Sequence, residues 1–197
     1  MLRVSYVVNA IYESRTYILF DENIRCWLVD CGDVQPLLEK LINMERGPLL
    51  LEGVLLTHAH YDHMYGLPRL TSLFPKVKIY TNKSGREMLA NERKNFSRYH
   101  EDSINFESEN VIVCEDGNEI ELYEDVKAIV HETPGHNPSC ITYEVGDYLF
   151  TGDSYIPGIK VVTNLPGGNK VLANESLEKI LKLAEGKILC PGHEVEK

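Results

Sequence analysis

The densest group of chemically capable side chains is one hexapeptide, residues 58–63, whose sequence is HAHYDH. It holds three imidazoles and one carboxylate, which are ligands that suit zinc, iron and manganese. Residues two apart at the end of a strand point the same way, so His58 and His60 can bind one cation. The turn that follows directs Asp62 and His63 to the other side. We therefore expect two metal positions, because one ion does not readily accept all four ligands.

Three further ligands follow predicted strands, each in a turn sequence. His136 ends Thr-Pro-Gly-His, Asp153 ends Thr-Gly-Asp and His193 ends Pro-Gly-His. A Pro-Gly pair fixes a tight turn, which brings the next side chain out at the sheet edge. We predict two sites with one shared carboxylate and a bridging hydroxide: His58, His60 and His136 for the first, Asp62, His63 and His193 for the second, and Asp153 for both. Because structural zinc sites are closed and rich in cysteine, this cysteine-free set favours a catalytic centre.

The predicted catalytic residue is Asp62, which can orient the hydroxide and pass its proton to the leaving group. His100 and His131 stand outside the turn motifs, and we predict no direct role for them. Candidate oxyanion or substrate contacts lie in the loop that follows Asp153: Tyr155, Lys160 and Lys170.

Short β-rich runs and helical apolar repeats indicate the elements that must position these residues. The predicted strands are 4–8, 16–20, 26–29, 53–56, 78–81, 111–114, 119–122, 127–130, 140–144, 148–150 and 188–190. The predicted helices are about 37–42 with Asp33 as N-cap and Gly47-Pro48 as its stop, 64–74, 83–90, and 177–184 with Asn174 or Ser176 as cap. Residues 91–110 are polar and lack a period, so we expect an insertion or a lid there.

The formal net charge of −10 over 197 residues argues against a general nucleic-acid binder, which needs a basic face. The acid excess lies entirely in residues 101–125, which hold ten carboxylates and neither lysine nor arginine.

Neither a membrane span of about 18 apolar residues nor a signal peptide is indicated. Five dispersed cysteines without a C-x-x-C pair indicate reduced thiols. We expect a cytoplasmic protein with one domain over 1–197 and without nucleic-acid or membrane partners.

In this order the motifs THAHYDH, TPGH, TGD and PGH resemble the metallo-β-lactamase superfamily, and VDCGD matches its early Asp motif at Asp30. The resemblance covers about residues 3–194. It implies an α/β fold, a four-layered αβ/βα sandwich with the metals at one edge between two sheets. Periodicity alone predicts only a mixture of α and β.

Within that superfamily the pattern is most similar to glyoxalase II-like hydrolases, which implies two divalent ions, zinc first and iron or manganese as alternatives, and cleavage of a small ester or thioester. Asp153 replaces the cysteine of the commonest zinc β-lactamases, so we expect no antibiotic hydrolysis. The segment Asn137-Pro138-Ser139 departs from the T-x-G that usually follows TPGH, and four residues follow His193. We therefore do not expect glutathione specificity and assign substrate binding to 91–110, 154–172 or a neighbouring subunit.

Two other classes of the same fold stay open at this point. A mononuclear iron enzyme of the persulfide dioxygenase kind would use only a set such as His58, His136 and Asp153, and the complete second set favours two metals. A lactonase, phosphodiesterase or nuclease would share the metal centre, although nucleases of this superfamily carry added domains or basic arms. The expected partner is a small-molecule substrate, and the sequence does not decide whether the chain forms a homo-oligomer.

Overall fold

The computed structural model describes residues 2–21, 25–43 and 50–193. The strands in these ranges are β1 Arg3–Val8, β2 Arg15–Phe20, β3 Arg25–Val29, β4 Leu50–Leu55, β5 Lys78–Thr81, β6 Val111–Val113, β7 Glu119–Tyr123, β8 Val126–Glu132, β9 Ile141–Val145, β10 Tyr148–Gly152 and β11 Ile188–Pro191. The helices are α1 Val34–Asn43, α2 Tyr61–Met64, α3 Leu67–Leu73, α4 Lys83–Leu89 and α5 Lys170–Leu183, and Ser97–Tyr99 forms one 3₁₀ turn.

The strands form two sheets whose strand directions bring the motif turns together. Strands β1 to β6 lie in sequence order, antiparallel up to β3 and parallel from β3 to β6. The second sheet has the order β11-β10-β9-β8-β7, in which only β10 and β11 are parallel neighbours. Because β9 is antiparallel to both β8 and β10, the strands β8, β10 and β11 all run the same way. Their carboxyl ends therefore meet at one edge of the sheet.

Two apolar layers hold the sheets in place. The layer between the sheets contains Leu19, Trp27 and Leu55 from the first sheet and Tyr143 and Phe150 from the second. The other layer lies between the first sheet and the helices α1 to α4. Residues 26–29 of β3 and 53–55 of β4 are buried on both faces, which explains why these parts of the two strands are continuous apolar runs. Helix α5 packs against the second sheet, where Ser176 and Lys179 donate hydrogen bonds to the carbonyl oxygens of Pro134 and Glu132. The expected four-layered sandwich is confirmed.

The predicted helix over 64–74 is wrong in its bounds. The structure has α2 and α3 instead, and the chain breaks between them at Tyr65 and Gly66. Pro68 lies in the first turn of α3, where a proline has no helical hydrogen bond to lose. The consequence is that α2, which carries Asp62 and His63, is a single turn that begins directly at the motif.

The last helix begins earlier than predicted, at Lys170 rather than near 177. Its N-cap is Asn169, whose Oδ1 accepts a hydrogen bond of 2.9 Å from the backbone N–H of Val171, so neither Asn174 nor Ser176 is the cap. The Val171 side chain is 66% exposed. The first turn of α5 therefore does not show the apolar spacing from which the later turns were predicted. Lys170 therefore lies in the first turn of α5 and not in a loop.

Helix α1 begins at Val34, directly after Asp33, so Asp33 stands at the predicted N-cap position. The Asp33 carboxylate accepts a hydrogen bond of 2.6 Å from the N–H of Ala10, which ties the helix start to the β1–β2 loop. The predicted stop at Gly47-Pro48 lies outside the described residues. None of the helices in the described ranges combines the length and apolar character that crossing a bilayer requires.

Candidate metal centre

The edge where the motif turns meet gathers all seven predicted ligands. Three groups of side chains there have ligand atoms that lie within 4.8 Å of one another. They are His58, His60 and His136; His58, His63 and Asp153; and Asp62, His63 and His193. We call these seven side chains the ligand cluster. Neither His100 nor His131 belongs to these groups, and His131 instead lies 3.0 Å from Glu144 on the neighbouring strand.

The three-histidine part of the ligand cluster is the more deeply buried. His58 is fully buried, and His60 and His136 are each 5% exposed. The Nδ1 atom of His60 lies 2.9 Å from Nε2 of His136. Burial and the neighbouring imidazoles lower the pKa of His58, and burial is the main cause that lowers the pKa of His60 to about 3. Both imidazoles are therefore neutral near pH 7, which is the form that binds a metal.

The second part of the ligand cluster contains both carboxylates. The Nε2 atoms of His63 and His193 lie 3.2 Å apart, and Asp62 Oδ2 lies 3.3 Å from each of them. Asp153 spans the two parts, because Oδ1 lies 3.4 Å from His193 Nε2 while Oδ2 lies 3.6 Å from His136 Nε2. One oxygen thus faces each part, which is the arrangement that a bridging ligand needs.

The carboxylates change the electrostatics of the second part. Burial opposes protonation of His193, but Asp153 and Asp62 outweigh it and raise its pKa to about 10. Burial likewise opposes ionisation of Asp62, but the charge of His63 and the hydrogen bond with His193 hold its pKa below the usual range. Without metal, this part is a network of ion pairs. A bound cation would take the place of the protons on these imidazoles.

Contacts outside the ligand cluster fix which nitrogen each histidine presents. The Nδ1–H of His136 donates to the carbonyl oxygen of Val162 at 2.9 Å, and that of His193 donates to the carbonyl oxygen of Tyr12 at 2.8 Å. Both rings therefore present Nε2 to the site, as metal-binding histidines commonly do. His60 is turned the other way and presents Nδ1, since its Nε2 lies 3.2 Å from the side-chain amide of Asn137.

Asp30 likewise contacts the Nδ1 atom of His63, so that this ring also presents Nε2 to the site. Its Oδ2 lies 2.8 Å from His63 Nδ1, and its carboxylate accepts hydrogen bonds from the backbone N–H and the hydroxyl of Thr57. Asp30 is 1% exposed and has a φ of 62°, in the left-handed region that few residues other than glycine adopt. Backbone strain of this kind persists where surrounding contacts fix it, and here they fix the orientation of a ligand.

The two Pro-Gly-His turns need glycine for different reasons. Gly135 has a φ of 140°, and a Cβ there would lie 2.3 Å from the backbone of Ala173 in α5. Gly192 has no positive φ, but a Cβ there would lie 2.3 Å from Asp153 Oδ1. The first glycine permits a turn against a helix, and the second leaves room for a carboxylate inside the ligand cluster.

Two observations show that the ligand cluster fits divalent metal ions. His58 Nε2 is buried and makes no hydrogen bond to the described residues, which is costly for a buried polar atom unless another partner binds it. Two nitrogens bound tetrahedrally to one zinc ion at about 2.0–2.1 Å are roughly 3.3 Å apart. The 3.2 Å separation of the His63 and His193 nitrogens is close to that value.

The ligand cluster forms the floor of a cleft of about 560 Å³, whose wall is largely aromatic. The cleft wall consists of Tyr12, Tyr61, Phe96, Tyr99, His100, Val162, Leu165 and Pro166. His100 stacks on Tyr61 with ring centroids 4.0 Å apart, and the Phe96 ring lies 4.8 Å from that of His60. Six of these eight residues lie in the segments 91–110 and 154–172, to which the sequence assigned substrate binding, but the individual side chains were missed. Their signal was the occurrence of Phe96, Tyr99 and His100 together within an otherwise polar segment.

The predicted substrate contacts lie away from this wall. Tyr155, Lys160 and Lys170 are absent from the described residues that line the cleft. The carbonyl oxygen of Tyr155 accepts a hydrogen bond of 2.7 Å from the Thr151 hydroxyl, and Lys170 lies in the first turn of α5. Contact of these three side chains with a substrate stays a prediction.

Comparisons with known proteins agree with the geometry. The family model described as "Metallo-beta-lactamase superfamily" matches residues 14–193. The hydroxyacylglutathione hydrolase of Hamiltonella defensa subsp. Acyrthosiphon pisum is 27% identical over 191 residues, which cover 95% of this chain and 65% of that protein. The hydroxyacylglutathione hydrolase of Enterobacter sp. is 28% identical, and the match covers 95% of this chain and 64% of that protein. The chain thus spans about 65% of the length of these curated relatives.

Solved structures show the same fold. The BLEG-1 B3 metallo-beta-lactamase superposes with a TM-score of 0.85 at 24% identity and covers 98% of this chain and 92% of that chain. TTHA1623 in a di-iron-bound form superposes with a TM-score of 0.78 at 24% identity, and the match covers 97% of this chain and 92% of that chain. ETHE1 from Myxococcus xanthus superposes with a TM-score of 0.76 at 22% identity, and the match covers 100% of this chain and 76% of that chain. At these identities the likeness concerns the fold.

Proposed function

Because the chain belongs to the metallo-β-lactamase superfamily, we propose that it is a metal-dependent hydrolase that uses two divalent ions to cleave a small ester or thioester. The observation that carries this proposal is the second ligand group, Asp62, His63 and His193, beside the three-histidine group. A centre for one ion would not need it. Asp153, which faces both groups, supports a pair of ions that act together.

The metal-binding residues are proposed to be the whole ligand cluster. Bound divalent ions would supply a water ligand of lowered pKa as nucleophile and a Lewis acid for the reacting carbonyl. The chain itself fixes the imidazoles through contacts such as those of Asp30 with His63 and of Val162 with His136. These contacts hold the ligands in one arrangement, so little reorganisation is needed during the reaction.

Asp62 is the proposed catalytic residue. Its lowered pKa keeps the carboxylate ionised near pH 7, so it can accept a proton. Its Oδ2 lies among the ligand atoms, 3.3 Å from the Nε2 atoms of His63 and His193. We assign Oδ1 the role of taking the proton from the attacking water and passing it to the leaving alkoxide or thiolate.

The substrate class is inferred from the relatives and from the cleft. The curated relatives are hydroxyacylglutathione hydrolases, whose name describes thioester cleavage, and this supports a small ester or thioester. The aromatic cleft wall would pack against an apolar acyl or thiol chain. Because Asn137-Pro138-Ser139 follows the TPGH motif where T-x-G is usual, we do not propose glutathione itself as the leaving group.

The metals are proposed to be zinc, with iron and manganese as alternatives, because imidazole and carboxylate suit all three. The fold neighbour TTHA1623 is known in a di-iron-bound form, so iron is included among the metals to be tested.

We propose the cytoplasm as the compartment, since the five cysteines are buried thiols without disulfide bonds. The proposed partner is a small molecule and not a nucleic acid or a membrane, and whether copies associate is a matter for measurement.

The experiment is a substrate panel on protein reconstituted separately with zinc, iron and manganese. The panel contains a lactoyl thioester, an aryl ester, a lactone and a phosphodiester, and His131→Ala serves as a histidine control outside the ligand cluster. We expect hydrolysis of the thioester or the aryl ester by wild type and His131→Ala. Turnover of the lactone or the phosphodiester alone would contradict the proposed bond type. Oxygen consumption with a persulfide by protein that holds one iron would instead favour the mononuclear dioxygenase reading.

A further inference from the structure

A second pocket lies next to the metal cleft and shares part of its wall. It has a volume of about 450 Å³, and Phe96, Tyr99 and Pro166 line both cavities. Its remaining lining includes the apolar side chains of Met88 and Pro138. The two cavities are therefore neighbours that lie on either side of the same three side chains.

The partition between the two pockets is a structured part of the fold. Phe96 has a φ of 64°, a left-handed conformation that a phenylalanine adopts only when its surroundings fix it. Its neighbours supply these contacts, since the Asn95 amide donates to the carbonyl oxygen of Ile104 at 2.9 Å and the N–H of Ile104 donates to Ser97 Oγ at 2.8 Å. Asn95 and Ser97 are fully buried. The Phe96 ring is thereby held 4.8 Å from the His60 ring.

The charge around the second pocket is opposite to that of the whole chain. Residues 83–98 contain five basic and two acidic side chains, a net charge of +3 in a protein of −10. Two of these bases, Arg93 and Lys94, line the pocket, and so does Glu87. Lys94 lies 3.7 Å from Glu87 in an exposed ion pair, whereas no ion pair of Arg93 is found with the described residues. Arg93 is the base that remains available for a ligand.

We propose that the second pocket binds an anionic group, of the carboxylate class, at the end of an extended substrate whose ester or thioester lies over the ligand cluster. The apolar stem of the substrate would pass Phe96 and contact Met88, and the anion would pair with Arg93. This inference rests on the proposed function only for the reaction at the metals. Substrate selection would then depend on Arg93, because a planar guanidinium recognises a carboxylate with two parallel hydrogen bonds.

Matched thioesters test this selection. One pair is the lactoyl thioesters of 6-mercaptohexanoate and 6-mercaptohexanol, and the other is the 2-mercaptoethanol thioesters of 7-carboxyheptanoate and 8-hydroxyoctanoate. Within each pair only the end group changes, on the thiol side in the first and on the acyl side in the second. In at least one pair we expect wild type to have the higher kcat/KM for the charged member, and Arg93→Gln to reduce the charged-to-neutral ratio about fivefold.

Arg98→Gln is the matched control, because it removes the same charge from the same segment at a residue that lies 3.7 Å from Glu92 and lines neither pocket. It should leave the charged-to-neutral ratio unchanged. A ratio near one in wild type for both pairs, or an equal loss in Arg93→Gln and Arg98→Gln, would overturn the inference.

A binding measurement separates this inference from the proposed reaction. The acetonyl thioethers of 6-mercaptohexanoate and 6-mercaptohexanol carry the same end groups on a bond that is not hydrolysed, and calorimetry gives their dissociation constants. Tighter binding of the charged thioether that is lost in Arg93→Gln would support the pocket even if no thioester is turned over. Turnover of thioesters without a charge preference in either thioester pair or in thioether binding would support the reaction and refute the pocket.

Discussion

The ligand cluster and the cleft wall are neighbours that differ in how their side chains are held. His60 is 5% exposed and has contacts at both ring nitrogens, whereas Tyr99 and Tyr12 on the wall are 75% and 68% exposed. The buried residues follow strand ends and short turns, while Tyr99 ends a 3₁₀ turn in the segment 91–110. In the proposed function, the buried ligand cluster holds the metal ions and the exposed wall contacts the substrate.

Substitution of a ligand should have the largest effect and should affect all substrates alike. His60→Ala removes one imidazole of the three-histidine group, so we expect activity to fall by more than about a thousandfold together with loss of bound metal. Hydrolysis of every substrate in the panel and metal content by mass spectrometry are the measurements. Circular dichroism verifies that the variant is folded, and full activity in this variant would refute the site assignment.

Substitution of the residue that orients a ligand should have a smaller effect of the same kind. Asp30→Asn keeps a side chain that tolerates the left-handed backbone but weakens the contact with His63 Nδ1. We expect about 10- to 100-fold weaker binding of the ion at the group Asp62, His63 and His193, measured by titration with zinc. Asp33→Asn, at a carboxylate that contacts the N–H of Ala10, is the control and should bind both ions as wild type does.

The pH dependence of metal binding should distinguish the two parts of the ligand cluster. In the metal-free protein the pKa of His193 is raised to about 10, so an ion that binds there must displace a proton at neutral pH. Its dissociation constant should therefore fall by at least about tenfold for each pH unit between about pH 6 and 9.

The ion at the three-histidine part should respond less, because burial lowers the pKa of His60 to about 3. Stepwise cobalt titration, followed by absorbance at several pH values, measures both constants. Equal slopes for the two ions would contradict the assignment of protons to the carboxylate part.

Substitution on the cleft wall should have the smallest effect and should differ between substrates. Phe96→Ala removes the ring beside His60, so we expect KM to rise about fivefold for long apolar thioesters and little for aryl acetates. Metal content should equal that of wild type. If the variant instead loses metal, or all substrates lose activity equally, the separation between wall and ligand cluster is wrong.

The ligand cluster could be predicted because each member follows a strand in a short turn, where a local pattern determines the position. His58 and His60 were found from their spacing, and His136 and His193 from the glycine turns before them. The strands of the first sheet were predictable for the same reason, because residues 26–29 and 53–55 are short apolar runs.

The sequence located the segments 91–110 and 154–172, which supply most of the cleft wall, but not the individual side chains, because these come together only through tertiary contacts. Tyr12 and His100 are distant in sequence, yet their ring centroids lie 5.9 Å apart. The roles of Val162 and Tyr12 were also hidden, since each contacts a ligand through its backbone carbonyl and its side-chain type carries no signal. The start of α5 was missed because Val171 is an exposed apolar residue in the first turn.

The most direct test of the two-ion centre is the metal stoichiometry of purified, reconstituted protein, counted by mass spectrometry alongside thioester and aryl ester hydrolysis. We expect two divalent ions per chain in wild type, about one in His193→Ala, and hydrolysis that rises with the second ion. A single iron per chain with oxygen uptake and without hydrolysis, or undiminished hydrolysis by His193→Ala with one ion, would contradict the account.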